Sequence, residues 1–187
     1  MKDPEEHDIT GLLSQVREGK EGAEDRLLDA IYPELYARAE RAMQNQPADH
    51  TLQPTALVNE AYLRLIGPGR APGIDRLHFF SVAASAMRCI LVDHFRKKDR
   101  DKRLPASKRV PLEGMAAAFE ERSVDLPRLD AALTQMTAFD SELSRVVELH
   151  FFGGLTMAEI ANLLDRSQRT IERRWQSARA WLAVQVA

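Results

Sequence analysis

The sequence predicts an all-α protein made of two small helical domains joined by a flexible linker, the second of them a helix-turn-helix. Three observations carry this. Apolar residues recur at helical spacing through most of the 187 residues, the aromatic content is only 6%, and nine glycines and nine prolines gather mostly in short breaks between the periodic stretches. The predicted boundaries are residues 1–100 for the first domain, 101–125 for the linker and 126–187 for the second.

Each element follows from its own spacing. Ile9, Leu12, Leu13 and Val16 mark a first helix ended by Gly19. Leu27, Leu28, Ile31, Leu35 and Ala39 continue with the same period, and Pro33 is expected to kink or restart that helix. Pro47 and Pro54 bracket a loop. Thr55 then opens a helix with Leu57, Val58, Ala61, Tyr62 and Leu65 on one stripe, and the run GPGRAPG at 67–73 breaks it. A long helix is predicted from about Asp75 to Arg100, with Phe79, Phe80, Ala83, Ala84, Met87, Ile90, Leu91 and His94 on its buried side. Phe79 and Phe80 read as core rather than as base-stacking residues, and Cys89 as a small buried hydrophobe. Periodicity is lost through 101–125, which contains Pro105, Pro111 and Gly114. It returns with Leu129, Leu133 and Met136 behind Pro127, and again from Asp140 through Leu143, Val146, Val147 and His150 to Gly153–Gly154.

Composition excludes several classes of function. No apolar run approaches the ~18 residues of a membrane span. The acidic opening MKDPEEHDIT has no signal-peptide core, so a cytoplasmic protein is expected. A single cysteine rules out a disulfide framework and a multi-cysteine zinc site. The histidines lack ligand spacing, and neither a phosphate-binding glycine loop nor a nucleophile elbow is present. No catalytic residue, metal or cofactor is therefore expected, and the chain is not read as an enzyme. A hydrolase or nuclease using Asp and His remains the rival from another class.

The net charge of −2 hides segregation. Residues 1–35 carry ten acids against four bases, whereas 88–109 carry nine bases against three acids, and 166–182 carry five arginines against Glu172. Two separate basic segments fit two contacts with a polyanion. They also fit two solvated helix faces.

The strongest local pattern is LTMAEIANLLDRSQRTIERRWQSARAWL at 155–182. Thr156 and Glu159 have capping-box spacing, Ser167 can cap the following helix, and Ile171, Trp175, Ala178 and Leu182 face inward. Gln168, Arg169, Thr170, Arg173, Arg174 and Ser177 are left pointing outward. A short helix, a tight turn and an arginine-bearing second helix match the geometry that lays a helix in the major groove. There Arg pairs with guanine edges and Gln with adenine. The duplex-contacting set is predicted as these six with Thr156, Arg166 and Ser167. The bland alternative is an αα-hairpin with a solvated basic face.

These residues, with Glu159, Ile160, Ala161, Thr170, Arg174, Ala178, Arg179 and Leu182 at matching positions, resemble the fourth domain of bacterial sigma factors. Asp165 stands where that family usually has Gly, a small cost because Asp tolerates a left-handed backbone. ALVNEAYLRL at 56–65 and AMRCILVDHFRKKDR at 86–100 are similar to the family's second domain, and the whole resembles the extracytoplasmic-function (ECF) group. The resemblance implies a factor that binds core RNA polymerase and directs promoter recognition and initiation, with the catalytic chemistry left to the polymerase. It implies that the residues around 155–182 read the minus-thirty-five element. Arg70, Arg76, Arg88, Arg96, Lys97 and Arg100 fall to the opened minus-ten element, partly as phosphate contacts. Leu57, Asn59, Glu60, Leu63 and Arg64 fall to the clamp of the polymerase's largest subunit. The implied partners are that clamp, the flap of the second-largest subunit and promoter DNA, with an anti-sigma protein as a further candidate. The alternative is a helix-turn-helix regulator that acts without being a polymerase subunit. On either reading the arginine-bearing helices should face outward, and on the first the two halves should be tethered grips.

Overall fold

The computed structural model describes residues 8–44, 52–66, 75–102 and 126–185, and every regular element among them is helical. In chain order these are α1 (Ile9–Arg17), α2 (Ala23–Gln44), α3 (Pro54–Ile66), α4 (Arg76–Lys102), α5 (Leu126–Phe139), α6 (Ser141–Phe151), α7 (Met157–Leu164) and α8 (Gln168–Gln185). Most of the predicted linker, the loop at 67–74 and the segment at 45–51 lie outside the described residues. Helix α4 runs two residues into the span assigned to the linker.

Asp8 starts α1 by accepting from the Gly11 amide at 2.9 Å. A Cβ at position 11 would lie 2.2 Å from that carboxylate, so a side chain there would make the Asp8 carboxylate shift. Helix α2 passes through Pro33 without restarting, contrary to one of the two expectations. Leu27 and Ile31 before the proline, and Leu35 and Ala39 after it, are all fully buried on one stripe. Burial of the three large aliphatics among them, at ~1.5–3 kcal/mol each, outweighs the ~3 kcal/mol an internal proline costs. The Tyr62 hydroxyl of α3 donates to the Glu24 carbonyl at 3.0 Å, tying α3 to the start of α2. Burial, with Glu24 and Asp25 nearby, pushes this phenol up to about 12.

Helix α4 is the centre of the molecule. Phe79, Phe80, Ala83, Ala84, Met87, Ile90 and Leu91 are buried as predicted, and the two phenyl rings meet edge to face at 5.4 Å. His94 is only half-buried and Cys89 is exposed, so the expectation of a buried thiol is corrected. The cysteine lies off the stripe that its neighbours Met87, Ile90 and Leu91 form.

In the C-terminal part, α5 and α6 form a hairpin. Asp140 caps α6 by accepting from the Leu143 amide at 2.9 Å. Helix α8 packs on α6 and α7. Trp181 lies half-buried against Phe139, with ring centroids 5.2 Å apart.

The two groups of helices do not stand apart. Helix α4 packs against α5, α6 and α7, and buried apolar side chains from both groups form one continuous core. Close approach rests on small residues: a Cβ on Gly153 would lie 2.8 Å from the Ala84 Cβ.

Candidate nucleic-acid interface

The helix-turn-helix is built by local hydrogen bonds that the sequence encodes. Thr156 receives the Glu159 amide on its hydroxyl at 3.2 Å, and its own amide donates to the Glu159 carboxylate at 2.8 Å, closing the capping box. Asp165 ends α7 with φ 52°, the left-handed conformation its position demands. The Arg166 amide then reaches the Ala161 carbonyl at 2.9 Å. Ser167 accepts from the Thr170 amide at 3.2 Å and so starts α8. Because glycine adopts positive φ without the Cβ penalty, Asp165→Gly should stabilise the chain by about 0.5–1 kcal/mol, read as a higher urea midpoint. No change or a loss would show that the Asp165 side chain contributes more than its strain costs.

Burial alone would raise the Glu159 carboxyl. The Thr156 amide and hydroxyl, then the charges of Arg38 and Arg76, outweigh it and hold the group below its ordinary 4.5. A depressed carboxylate contributes stability that is present above the unfolded value and lost as pH falls through the folded one. Acid titration should therefore show a loss below about pH 4.5 that Glu159→Gln removes. Coincident acid profiles for the two proteins would refute that assignment.

Helix α8 presents two faces. Ile171, Ala178 and Leu182 are fully buried, whereas Gln168, Arg169, Arg173 and Ser177 are exposed. Among the described residues Arg169 and Arg173 form no ion pair. Gln168 donates to Glu172 at 2.9 Å. Thr156, Arg166 and Ser167 are exposed at the same end, and Thr170 is half-buried. Arg174 departs from the expected outward row. It is half-buried and pairs with Asp140 at 2.9 Å and Glu142 at 2.7 Å, and Arg166 also reaches Glu142 at 3.0 Å. Position 174 lies three residues from Ile171, at the edge of the buried face. From there its guanidinium reaches the carboxylates at the N-terminus of α6. The Leu143 amide, followed by Arg174, keeps Asp140 below its ordinary value.

The basic residues of α4 are placed differently. Arg76 pairs with Glu34 at 2.7 Å, approaches Glu159 at 3.7 Å and lies over the Phe80 ring. Arg88 is nearly buried: it donates to Asp130 at 2.7 and 2.9 Å and to Glu148 at 2.9 Å. Desolvation works against its charge, but the bonds to the two carboxylates win and its pKa is raised. Arg96 reaches the other Asp130 oxygen at 2.9 Å. Lys97 is exposed. Arg70 and the Arg100 side chain lie outside the described residues. Of the two arginine-bearing helices, then, α8 faces outward as expected, while Arg88 of α4 faces the C-terminal helices.

On α3, Asn59, Glu60 and Leu63 form an exposed face, with Leu63 70% exposed, and Arg64 pairs with Glu60 at 2.7 Å. Leu57 is fully buried and belongs to the core rather than to that face.

Sequence reasoning missed the partners that organise these arginines. Asp130, Glu148 and Arg145 give no periodic signal. Arg38 does: it falls between Leu35 and Ala42 on the apolar stripe of α2. It is 4% exposed, pairs with Glu34, donates to the Gly153 carbonyl and lies 4.4 Å over the Phe80 ring. Among the described residues no group of His, Cys, Asp or Glu is arranged to hold a metal, and no helix is long and apolar enough to cross a membrane.

A protein-family model described as ECF sigma factor matches residues 6–187. No curated protein matches the chain.

Proposed function

The chain belongs to the ECF sigma factors, a family of polymerase-associated, promoter-specific initiation factors, and from that membership we propose how its surfaces divide the work. Helix α8 reads the minus-thirty-five element as duplex. The observation that carries this is the exposed row Gln168, Arg169, Arg173 and Ser177 opposite a fully buried Ile171, Ala178 and Leu182. Thr156, Arg166, Ser167 and Thr170 lie at the same end for backbone phosphates, since helix N-termini and short polar side chains position a protein on DNA. Arg174 acts through Asp140 and Glu142, fixing the angle of α8 on α6.

Lys97, Arg96, Arg88 and Arg100 of α4, with Arg76 and Arg70 before them, serve the opened minus-ten strand. The exposed face of α3, with Asn59, Glu60, Leu63 and Arg64, docks on the clamp of the largest polymerase subunit; the flap of the second-largest subunit takes the C-terminal helices. Residues 1–100 and 126–187 act as two domains, and 101–125 tethers them so that two modest DNA contacts work at high effective concentration. The site of action is the cytoplasm, where the polymerase supplies all covalent chemistry.

Run-off transcription with core polymerase on a genomic fragment library tests this reading. Comigration with core polymerase and discrete promoter-dependent transcripts are expected. Binding of a palindromic operator as a dimer, with no affinity for core polymerase, would overturn it in favour of a conventional helix-turn-helix regulator.

A further inference from the structure

Two carboxylates at the start of α6 face the helix-turn-helix, and they are engaged differently. Asp140 serves α6 itself: one oxygen accepts from the Leu143 amide at 2.9 Å, and the other accepts from Arg174 at 2.9 Å. Glu142, in the first turn of α6, stands between two arginines of the reading unit. One of its oxygens accepts from Arg166 at 3.0 Å, and the other lies 2.7 Å from the Arg174 Nε. Arg166 sits in the turn before α8, where it also donates to the Asp165 carbonyl at 3.1 Å. Its side chain is 47% exposed, so Glu142 holds it while leaving part of the guanidinium open to solvent. Arg174 sits about two turns into α8. Among the described residues Glu142 is the one acid paired with both arginines. It therefore ties the turn and α8 to α6 at two points separated along the helix axis. Two such points fix a tilt and a roll that a single one leaves free.

We propose that Glu142 is a positioning residue for duplex readout: by holding Arg166 and Arg174 together it sets the register of the turn and the roll of α8, and so determines sequence selectivity without touching a base. The proposal rests on the reading of α8 as the helix that lies in the major groove. Electrostatics alone argue against an acid at this place. A carboxylate beside two guanidiniums offsets charge that would attract a polyanion, and that attraction is blind to sequence. The helix dipole favours an acid at the start of α6, but Asp140 already supplies one as the cap. What Glu142 adds is geometry, because a carboxylate holds guanidinium donors in directed, charge-assisted bonds. Phosphate contacts set the register of a protein on DNA, and base contacts read the sequence. Arg166 on the phosphate side must therefore stand in a fixed relation to Arg169 and Arg173 on the base side. A roll of α8 that released Arg174 would swing Arg169 and Arg173 through the same angle. Affinity for a matched sequence depends on that angle, whereas general attraction to duplex does not. Loss of Glu142 should thus separate the two affinities, lowering the first and sparing or raising the second.

The test compares the wild-type chain, Glu142→Gln and Glu40→Gln, each assembled with core polymerase. Glu40 is exposed on α2, and its replacement makes the same change in net charge. The wild type first selects from short duplexes with a randomised centre, and the bound pool is sequenced. Affinities are then measured for the enriched duplex and for a mixed-sequence duplex of the same length. Glu142→Gln keeps the size of the side chain but leaves one acceptor oxygen and no charge. It should bind the enriched duplex roughly tenfold more weakly, on the order of one base-edge contact. Its affinity for the mixed-sequence duplex should stay equal or rise by up to about threefold. Glu40→Gln should match the wild type on both. Arg166→Ala, at an exposed turn position, removes one of the two groups that Glu142 holds and guards against a variant that is merely unstable. In that background Glu142→Gln should cost clearly less, because residues of one network are not additive. An equal fall on both duplexes would reduce Glu142 to a support of the fold, and an equal rise would reduce it to a repelling charge; either overturns the proposal. Full additivity with Arg166→Ala overturns it too. A wild type that enriches no sequence would instead defeat the reading of α8 as the reading helix, and the proposal with it.

Discussion

Arg169→Ala combined with Arg173→Ala should abolish promoter-dependent transcripts while leaving the fold and the affinity for core polymerase at wild-type values. Both side chains are exposed one turn apart on α8, and neither is tied into an ion pair among the described residues. Their removal therefore deprives the core of nothing. A good bidentate contact to a base edge contributes ~1–3 kcal/mol of discrimination, and a phosphate contact contributes about one unit to the slope of log affinity against log salt. Adjacent arginines do not act independently, so the two losses need not add. A fall on the order of 10² in affinity for the upstream duplex is expected, with a shallower salt dependence. Electrophoretic mobility shift at several salt concentrations reads the first, and thermal unfolding verifies that stability is spared. Arg174→Ala is the informative contrast. Its guanidinium is held by Asp140 and Glu142, so its loss should lower stability as well as binding. Unchanged transcription from the Arg169/Arg173 variant would mean that α8 is not the reading helix.

The difference between those two arginines also explains what was legible in the sequence. The helix-turn-helix was readable because its determinants are local: the Thr156–Glu159 box, the left-handed Asp165 and the Ser167 cap each act within four residues. The inward row of α8 follows from period alone. What sequence reasoning could not reach is long-range pairing. Arg88 meets Asp130 and Glu148 across separations of 42 and 60 residues, and no periodicity connects them. The apolar stripe of α4 accounts for one buried side, while its other covered side includes Ser81, Ser85 and Arg88, which read as solvent-facing. Arg174 failed for a smaller reason. A residue at the edge of a helix face is assigned by its neighbours' carboxylates, and those lie on α6. Arg38 was the one legible warning, a charge on an apolar stripe, where a long side chain must find partners or a ring face.

That ring face belongs to Phe80, and Phe80→Ala should cost about 3–5 kcal/mol, enough to remove much of the stability of an ordinary domain. The side chain has no exposed surface, so its truncation forfeits the transfer free energy of the ring and leaves a cavity in the middle of the core. Two further losses follow from its neighbours. The edge-to-face contact with Phe79 at 5.4 Å disappears. So does the surface over which the Arg38 and Arg76 guanidiniums rest, at 4.4 and 5.3 Å from the ring centre. Both arginines also have a buried Nε with no hydrogen-bond partner among the described residues. Phe80→Leu separates the contributions. It keeps much of the apolar volume and loses the quadrupole, so its cost should fall between wild type and alanine. Urea unfolding followed by circular dichroism measures both, with an unchanged m-value as the sign that the denatured state is not altered. A residue that stacked on unpaired bases would behave in the opposite way. Its replacement by alanine would leave the urea midpoint nearly unmoved and depress promoter opening. Such a result would transfer Phe80 from the core to the minus-ten strand, and would require a displacement of α4 that uncovers it.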